Sequence, residues 1–242
     1  MAAMPRRTKL HRLILPISLL FLFTSPGNSQ DPLALVRQWM PFAIGDRWIY
    51  EYEIRGGDRR NPDIERWQQA EVVVAMEAVP EGVLIRRKIA LLNNTAPPAR
   101  APLRPVVMRA DEANILIRGN CIYYLNAWPG SLRSLTDFLE AQRNGEALPD
   151  VCFPLNTGRT WGDPNKGRDL WTVAGLGRKN IDDPPSVTPQ SWRLEANLAS
   201  GDNDHIWFQT GVGITAARSF HNGTYGDLHL RLLRFEPASP GR

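Results

Sequence analysis

The chain has 242 residues, 29 basic and 25 acidic side chains, and a formal net charge of +4. Four of the basic residues (Arg6, Arg7, Lys9 and Arg12) and none of the acidic ones lie in residues 1–29, so residues 30–242 carry no net charge. Interspersed charges that cancel exclude the electrostatic footprint of a nucleic-acid binder, and a hydrophobic content of 43% is enough for a globular chain with one large core or two small ones.

Residues 1–29 have the layout of a cleavable secretory leader. A basic start is followed by the apolar run Leu13–Phe23, interrupted only by Pro16 and Ser18. Gly27 and Ser29 then suit the positions before a cut at Gln30. The competing reading is an uncleaved anchor, but the run falls well short of the roughly 20 residues a helix needs to cross a bilayer. No cysteine lies near the cut to carry a lipid. The expected location is periplasmic or extracellular, with no transmembrane span once the leader is removed.

Beyond the leader, Asp31–Met40 reads as a short helix, with Asp31 as cap and Pro32 at its first position. The period then changes to two. Trp48, Tyr50, Tyr52 and Ile54 share one face of a strand, and Glu51, Glu53 and Arg55 share the other, until Gly56-Gly57-Asp58 breaks it. Glu71–Val79 and Val83–Leu92 form a hairpin around Pro80-Glu81-Gly82. The basic triplet Arg86-Arg87-Lys88 within it reads as a solvated strand face or edge. Asn93–Pro105 is a loop, and Val106–Arg109, Ile115–Arg118 and Cys121–Leu125 are short strands.

A helical insert near 131–144 follows, capped by Ser134 and closed at Asn144-Gly145. Leu170–Ala174, Ser191–Leu198 and His205–Gln209 are further strands. Asp182–Pro185 is a loop, and Ile214–Phe220 and Tyr225–Phe235 flank an Asn222-Gly223 turn. The expected fold is mainly β: a strongly curved antiparallel sheet or partly closed barrel, with a short N-terminal helix and the helical insert. Residues 30–242 are read as a single domain.

Cys121 and Cys152 are the only cysteines. An even count in an oxidising compartment suggests one disulfide, and two buried free thiols are the alternative. Two cysteines without a Cys-x-x-Cys pair are too few for a zinc cage.

One spacing recurs. Pro41 through Gly45 to Trp48 and Pro154 through Gly158 to Trp161 both read Pro-x-x-x-Gly-x-x-Trp, which suggests a pseudo-repeat over 41–48 and 154–161: a rigid entry, a turn needing positive φ, and an indole anchoring the next strand. These segments, with Trp207-Phe208-Gln209-Thr210-Gly211-Val212-Gly213, resemble a group of uncharacterised exported bacterial envelope proteins. That group has a Phe-Pro-Leu-x-x-Gly-x-x-Trp opening and a Trp-x-x-x-Gly-Val-Gly closing motif. The resemblance implies a long curved antiparallel sheet and names no catalytic residue.

Signatures of nucleophile elbows, zinc peptidases, phosphate loops and dinucleotide folds are missing from the sequence, so no catalytic residue and no cofactor is assigned. Asp202, Asp204 and His205 read as an oxygen-rich turn able to hold a metal ion, or as the centre of a secreted hydrolase. His221 lies beside a turn and His229 on the less apolar face of the last strand. Of eight tryptophans, most open strands and belong to the core; Trp128 and Trp192 lie beside loops and are the candidates for ligand stacking. The leading expectation is an exported non-enzymatic binding or scaffolding protein whose partner is a small apolar ligand or an envelope protein; a hydrolase and a structural subunit of an envelope assembly are the others.

Overall fold

The computed structural model describes residues 32–58, 61–92, 112–125, 134–162, 170–178, 183–184, 187–197, 202–221 and 226–239. The leader expected over residues 1–29, the loop expected over Asn93–Pro105, the strand expected over Val106–Arg109, Trp128 and the turn expected at Asn222-Gly223 lie outside them.

The N-terminal helix forms as α1 (Pro32–Trp39) and the capped insert as α2 (Leu135–Arg143), where Ser134 Oγ accepts the Asp137 N–H at 3.1 Å. The strands are β1 (Arg47–Asp58), β2 (Asn61–Val79), β3 (Gly82–Leu91), β4 (Glu112–Arg118), β5 (Cys121–Leu125), β6 (Val151–Cys152), β7 (Thr160–Gly162), β8 (Leu170–Leu176), β9 (Ser191–Asn197), β10 (Asp202–Gln209), β11 (Gly213–His221) and β12 (Gly226–Glu236). They make one 12-stranded sheet in the order β6-β5-β4-β3-β2-β1-β12-β11-β10-β9-β8-β7. Every pairing is antiparallel. The first and last strands therefore meet in the middle, and two consecutive meanders run outward from them.

The sheet is bent into a nearly closed barrel. The contacts of α1 show the bend directly. Met40, just after the helix, lies 3.8 Å from the Tyr124 hydroxyl on β5, while Trp39 accepts the Gly211 N–H at 2.8 Å and packs against Trp192 on β9. β5 and β9 lie far apart in sheet order, so both reach one short helix only because the sheet curls around it. Val36 and Met40 are almost fully buried in the resulting core with Trp48, Trp67, Phe153 and Phe208. The short edge strands β6 and β7 approach each other at the seam, where Trp161 Nε1 donates to the Asp150 carbonyl at 3.3 Å.

The two Pro-x-x-x-Gly-x-x-Trp segments adopt the same turn. Gly45 N–H donates to Val73 O at 2.8 Å and Val73 N–H to Asp46 O at 3.0 Å; Gly158 N–H donates to Val173 O at 2.8 Å and Val173 N–H to Arg159 O at 2.9 Å. Both glycines have positive φ, 98° and 84°, a region that side chains rarely enter. In each case the receiving valine borders a β-bulge, between Val73 and Ala75 in β2 and between Val173 and Gly175 in β8. The turns differ in their polar anchors. Asp46, buried, accepts the N–H groups of Ala43 and Ala238, whereas Arg159 donates to Pro154 O.

Strand alternation sends the remaining apolar residues to the convex side. There α2 lays Phe138 over Leu84, Leu116 and Leu125, and Val187 covers Trp207 and Ala216.

Three local readings are corrected. Gly56-Gly57-Asp58 does not end β1: it continues to Asp58, paired with Asn61–Asp63. β2 begins ten residues before the expected Glu71, because the polar stretch from Asn61 is held by its ladder to β1 rather than by its own propensity. Arg87 does not face solvent, since it shares the phase of Ile85 and Ile89 and points into the barrel.

Candidate functional site

The concave face is the candidate site, and its residues follow from the phase of each strand. β1 contributes Trp48, Tyr50 and Tyr52, β2 contributes Trp67, Gln69 and Glu71, β3 contributes Arg87 and β5 contributes Tyr124. Trp48 Nε1 donates to Val212 O at 2.7 Å and Tyr50 Oη to Ile214 O at 3.2 Å. Tyr52 and Trp67 are direct cross-strand partners and stack with ring centroids 5.0 Å apart.

Within this apolar wall lies a buried polar cluster. Arg87 Nη1 donates to Glu71 Oε2, with both side chains under a tenth exposed. Gln69, fully buried, donates through Nε2 to Tyr52 Oη at 2.9 Å and to Glu71 Oε1 at 3.0 Å, and Tyr52 Oη donates to Glu71 Oε1 at 3.4 Å. The Arg87 guanidinium sits 5.4 Å from the centre of the Tyr124 ring. Burial, reinforced by the negative charge of Glu71, pushes the Tyr50 and Tyr52 hydroxyls well above their ordinary range. Burial works against the Arg87 charge, but Glu71, together with smaller contributions from Tyr124, Tyr50 and Tyr52, more than offsets it and keeps the guanidinium protonated. The cluster thus holds one ion pair among neutral phenols.

Sequence reasoning missed this cluster. The signal available was phase: Gln69 and Glu71 alternate with the outward positions of β2 in step with Trp67 and Val73, so a carboxylate and an amide are sent where indoles go.

A second set of groups lies toward the seam. Asp150 Oδ2 accepts the Tyr124 N–H at 2.7 Å. Burial, with the charge of Asp204 adding to it, raises the Asp150 carboxyl to about 7. Trp161 and Trp171, opposite each other on β7 and β8, stack with centroids 6.5 Å apart, and Trp39 stacks on Phe153 at 5.4 Å.

The raised Asp150 has a consequence for stability. A carboxyl whose folded value lies above its unfolded one stabilises the native state at low pH, and that contribution is lost as pH rises from about 4 through about 7. Asp150→Asn keeps an oxygen for the Tyr124 N–H and removes the titration. Urea unfolding at pH 5 and pH 8 is expected to show the variant gaining on the wild type as pH rises; a constant difference would refute the raised carboxyl.

The sequence-based candidates are dispersed. Asp202–His205 is not a turn but the first part of β10. Alternation separates its members: His205 lies on the convex side, edge-on to Trp207 and Phe220, whereas Asp204 shares the concave phase of Ile206 and Phe208. The side chain of Asp202 lies outside the described residues, and among the described residues no group of three His, Cys, Asp or Glu side chains is placed to hold a metal ion. Burial lowers the tendency of His205 to protonate. His229 lies on the convex face, where its Nε2 is 3.0 Å from Asp227 and Arg218 also pairs with that carboxylate. Trp192 is on the concave face, half-buried, 6.2 Å from Trp39. Cys121 and Cys152 are bonded across β5 and β6, where they are direct register partners.

No helix among the described residues is long and apolar enough to cross a membrane. No protein-family model matches the chain, and no curated protein matches it significantly. Among solved structures, the chain is similar over 83% of its length to a candidate exported protein with a YmcC-like fold from Bacteroides fragilis, 99% of which is covered, at 9% identity and a TM-score of 0.39. A candidate lipoprotein from Parabacteroides distasonis matches over 81% of this chain and 97% of its own, at 8% identity and a TM-score of 0.41. A LolA superfamily protein from Nitrosomonas europaea matches over 88% of this chain and 94% of its own, at 14% identity and a TM-score of 0.27. At such identities the likeness concerns the course of the chain and carries nothing about ligand or activity.

Proposed function

We propose that the chain is an exported binding protein of the cell envelope that holds an apolar ligand or an apolar partner segment against the concave face of its sheet. One observation carries the reading: that face already seats an amphipathic segment, α1 with the residue that follows it, through Leu33, Val36, Trp39 and Met40. A surface that accepts a helix of its own chain by aromatic and aliphatic contact has the chemistry to accept a foreign one, or an acyl or aromatic ligand. The leader over 1–29 and the Cys121–Cys152 bond support an oxidising compartment outside the cytoplasm.

The test is a titration of residues 30–242 with the neutral apolar dye N-phenyl-1-naphthylamine. Saturable binding near one dye per chain is expected. Trp192→Ala, which strips an indole from the concave wall beside Trp39, is expected to weaken it about tenfold. Unsaturable, solvent-like fluorescence across the titration would end the binding reading.

A further inference from the structure

α1 is eight residues long and begins just beyond the cut expected before Gln30. It lies against β4, whose Ala113, Ile115 and Ile117 face the same core, and it buries Val36 fully and Leu33 and Trp39 partly. Ala34, Arg37 and Gln38 stay exposed on its other side. Its C-terminal end is fastened by direction-specific contacts. The Gly211 N–H donates to Trp39 O at 2.8 Å, the Trp39 ring meets Phe153 and Trp192, and the Met40 sulfur lies 3.8 Å from the Tyr124 hydroxyl. Gly213, at φ 100°, completes the seat: a Cβ there would come within 3.0–3.1 Å of three side-chain atoms of Met40. The Gly211-Val212-Gly213 segment is therefore shaped around the Trp39–Met40 step.

An isolated helix of this length is not stable in water, where roughly 12–15 residues are needed even for good sequences. α1 is thus folded by the face on which it lies, and undocking and unfolding are one event. The apolar gain from Leu33 and Val36 is set against the conformational entropy of the residues around them, terms of the same order. Terminal segments with that balance open at a free energy well below the global one. The surface they cover here, the apolar strip of β4, belongs to the concave face on which an apolar ligand would lie.

We propose that α1 is a built-in, autoinhibitory occupant of the concave face: ligand entry lifts Pro32–Val36 away from β4, while Trp39 and Met40 stay latched on Gly211-Val212-Gly213 as the hinge. This rests on the binding function proposed above and adds the regulation of the same site. Its consequence runs against the usual effect of a core substitution. The apparent affinity is the intrinsic one reduced by the fraction of molecules in which the face is open. A change that weakens the docking of α1 therefore lowers stability and raises affinity together.

The test begins with the unaltered chain. Amide exchange of residues 30–242 is followed with and without saturating N-phenyl-1-naphthylamine. The hydrogen-bonded amides over Val36–Met40 are expected to exchange at least about tenfold faster in the saturated protein, and those of β4 no faster than before. Val36→Ser, which loosens the helix without touching the wall of the sheet, is expected to lower the urea midpoint and yet tighten dye binding about fivefold. The exchange measurement needs no variant and gives an answer should Val36→Ser fail to fold. Unchanged or slower exchange over Val36–Met40 with dye bound overturns the proposal and leaves the binding function standing. Unchanged or weaker dye binding by folded Val36→Ser also overturns it, since α1 is then part of the wall and not its competitor. Failure of the dye to bind either protein defeats the binding function itself, and this proposal with it.

Discussion

Glu71→Ala is expected to cost about 3–5 kcal/mol of folding stability, whereas the double replacement Glu71→Met with Arg87→Met is expected to recover most of that loss. Both side chains of the pair are almost completely shielded from water. Removing the carboxylate alone leaves a guanidinium in the barrel interior, where its desolvation is no longer repaid. It also strips Tyr52 and Gln69 of the oxygen to which both donate. Replacing both members by methionine removes the charge altogether and fills much of the same volume with a flexible apolar chain. Because a domain of this kind has only about 5–15 kcal/mol in hand, the single variant is expected to populate unfolded chain at 25 °C, with a urea midpoint far below that of the double variant. Equal destabilisation by the single and double changes would show that lost packing, not an unpaired buried charge, causes the greater part of the loss.

The elements that were legible in the amino-acid sequence are those whose information is local. The phase of Trp48, Tyr50, Tyr52 and Ile54 needs no partner to be read, and those four residues are buried together. Leu228, Leu230 and Leu232 on β12 alternate in the same way and pack, partly buried, against that core, and Ser134 caps α2 as its spacing implies. The signals that failed are those in which a distant chain segment decides. Asn61–Arg66 has too much Pro, Asp, Glu and Arg to read as strand, yet β1 opposite supplies a ladder for it. β6 and β7 are two and three residues long, too short for any period to show. Asp202–His205 reads as a turn because its residues are polar, but β9 and β11 on either side hold it extended. Arg87 is the sharpest case. A run of three cations reads as solvent-facing, yet alternation allows only Arg86 and Lys88 to reach water, and the carboxylate that makes burial of Arg87 tolerable lies on the neighbouring strand. Alternation alone would have placed Arg87 inside; composition outweighed it.

Loss of the Cys121–Cys152 bond is expected to have an effect of similar size through the unfolded state rather than the folded one. The bond closes a loop with a sequence separation of 31, and releasing that constraint enlarges the denatured ensemble by about 3–4 kcal/mol in the chain-entropy model. The loop contains α2, which must still dock Phe138 on the convex face after reduction, so the cost of ordering it falls wholly on those apolar contacts. β6 has only two register pairs to β5, and one of them is the disulfide pair itself. Without it, Asp150 and its contacts to Tyr124 and Trp161 rest on a two-residue strand held to β5 by the Ile122–Val151 pair, by the Asp150 N–H to Ile122 O and Phe153 N–H to Asn120 O bonds at 2.9 Å, and by the Asn120 amide donating to Phe153 O. Cys121→Ser with Cys152→Ser, or reduction of the native chain, is expected to lower the midpoint of thermal unfolding by roughly 6–16 °C for a chain of this size. Amide exchange should rise first over Val151–Cys152 and Thr160–Gly162. An unchanged midpoint, or exchange that rises evenly over the whole sheet, would mean that the seam is held by packing of α1 and Trp161 and that the disulfide is dispensable to it.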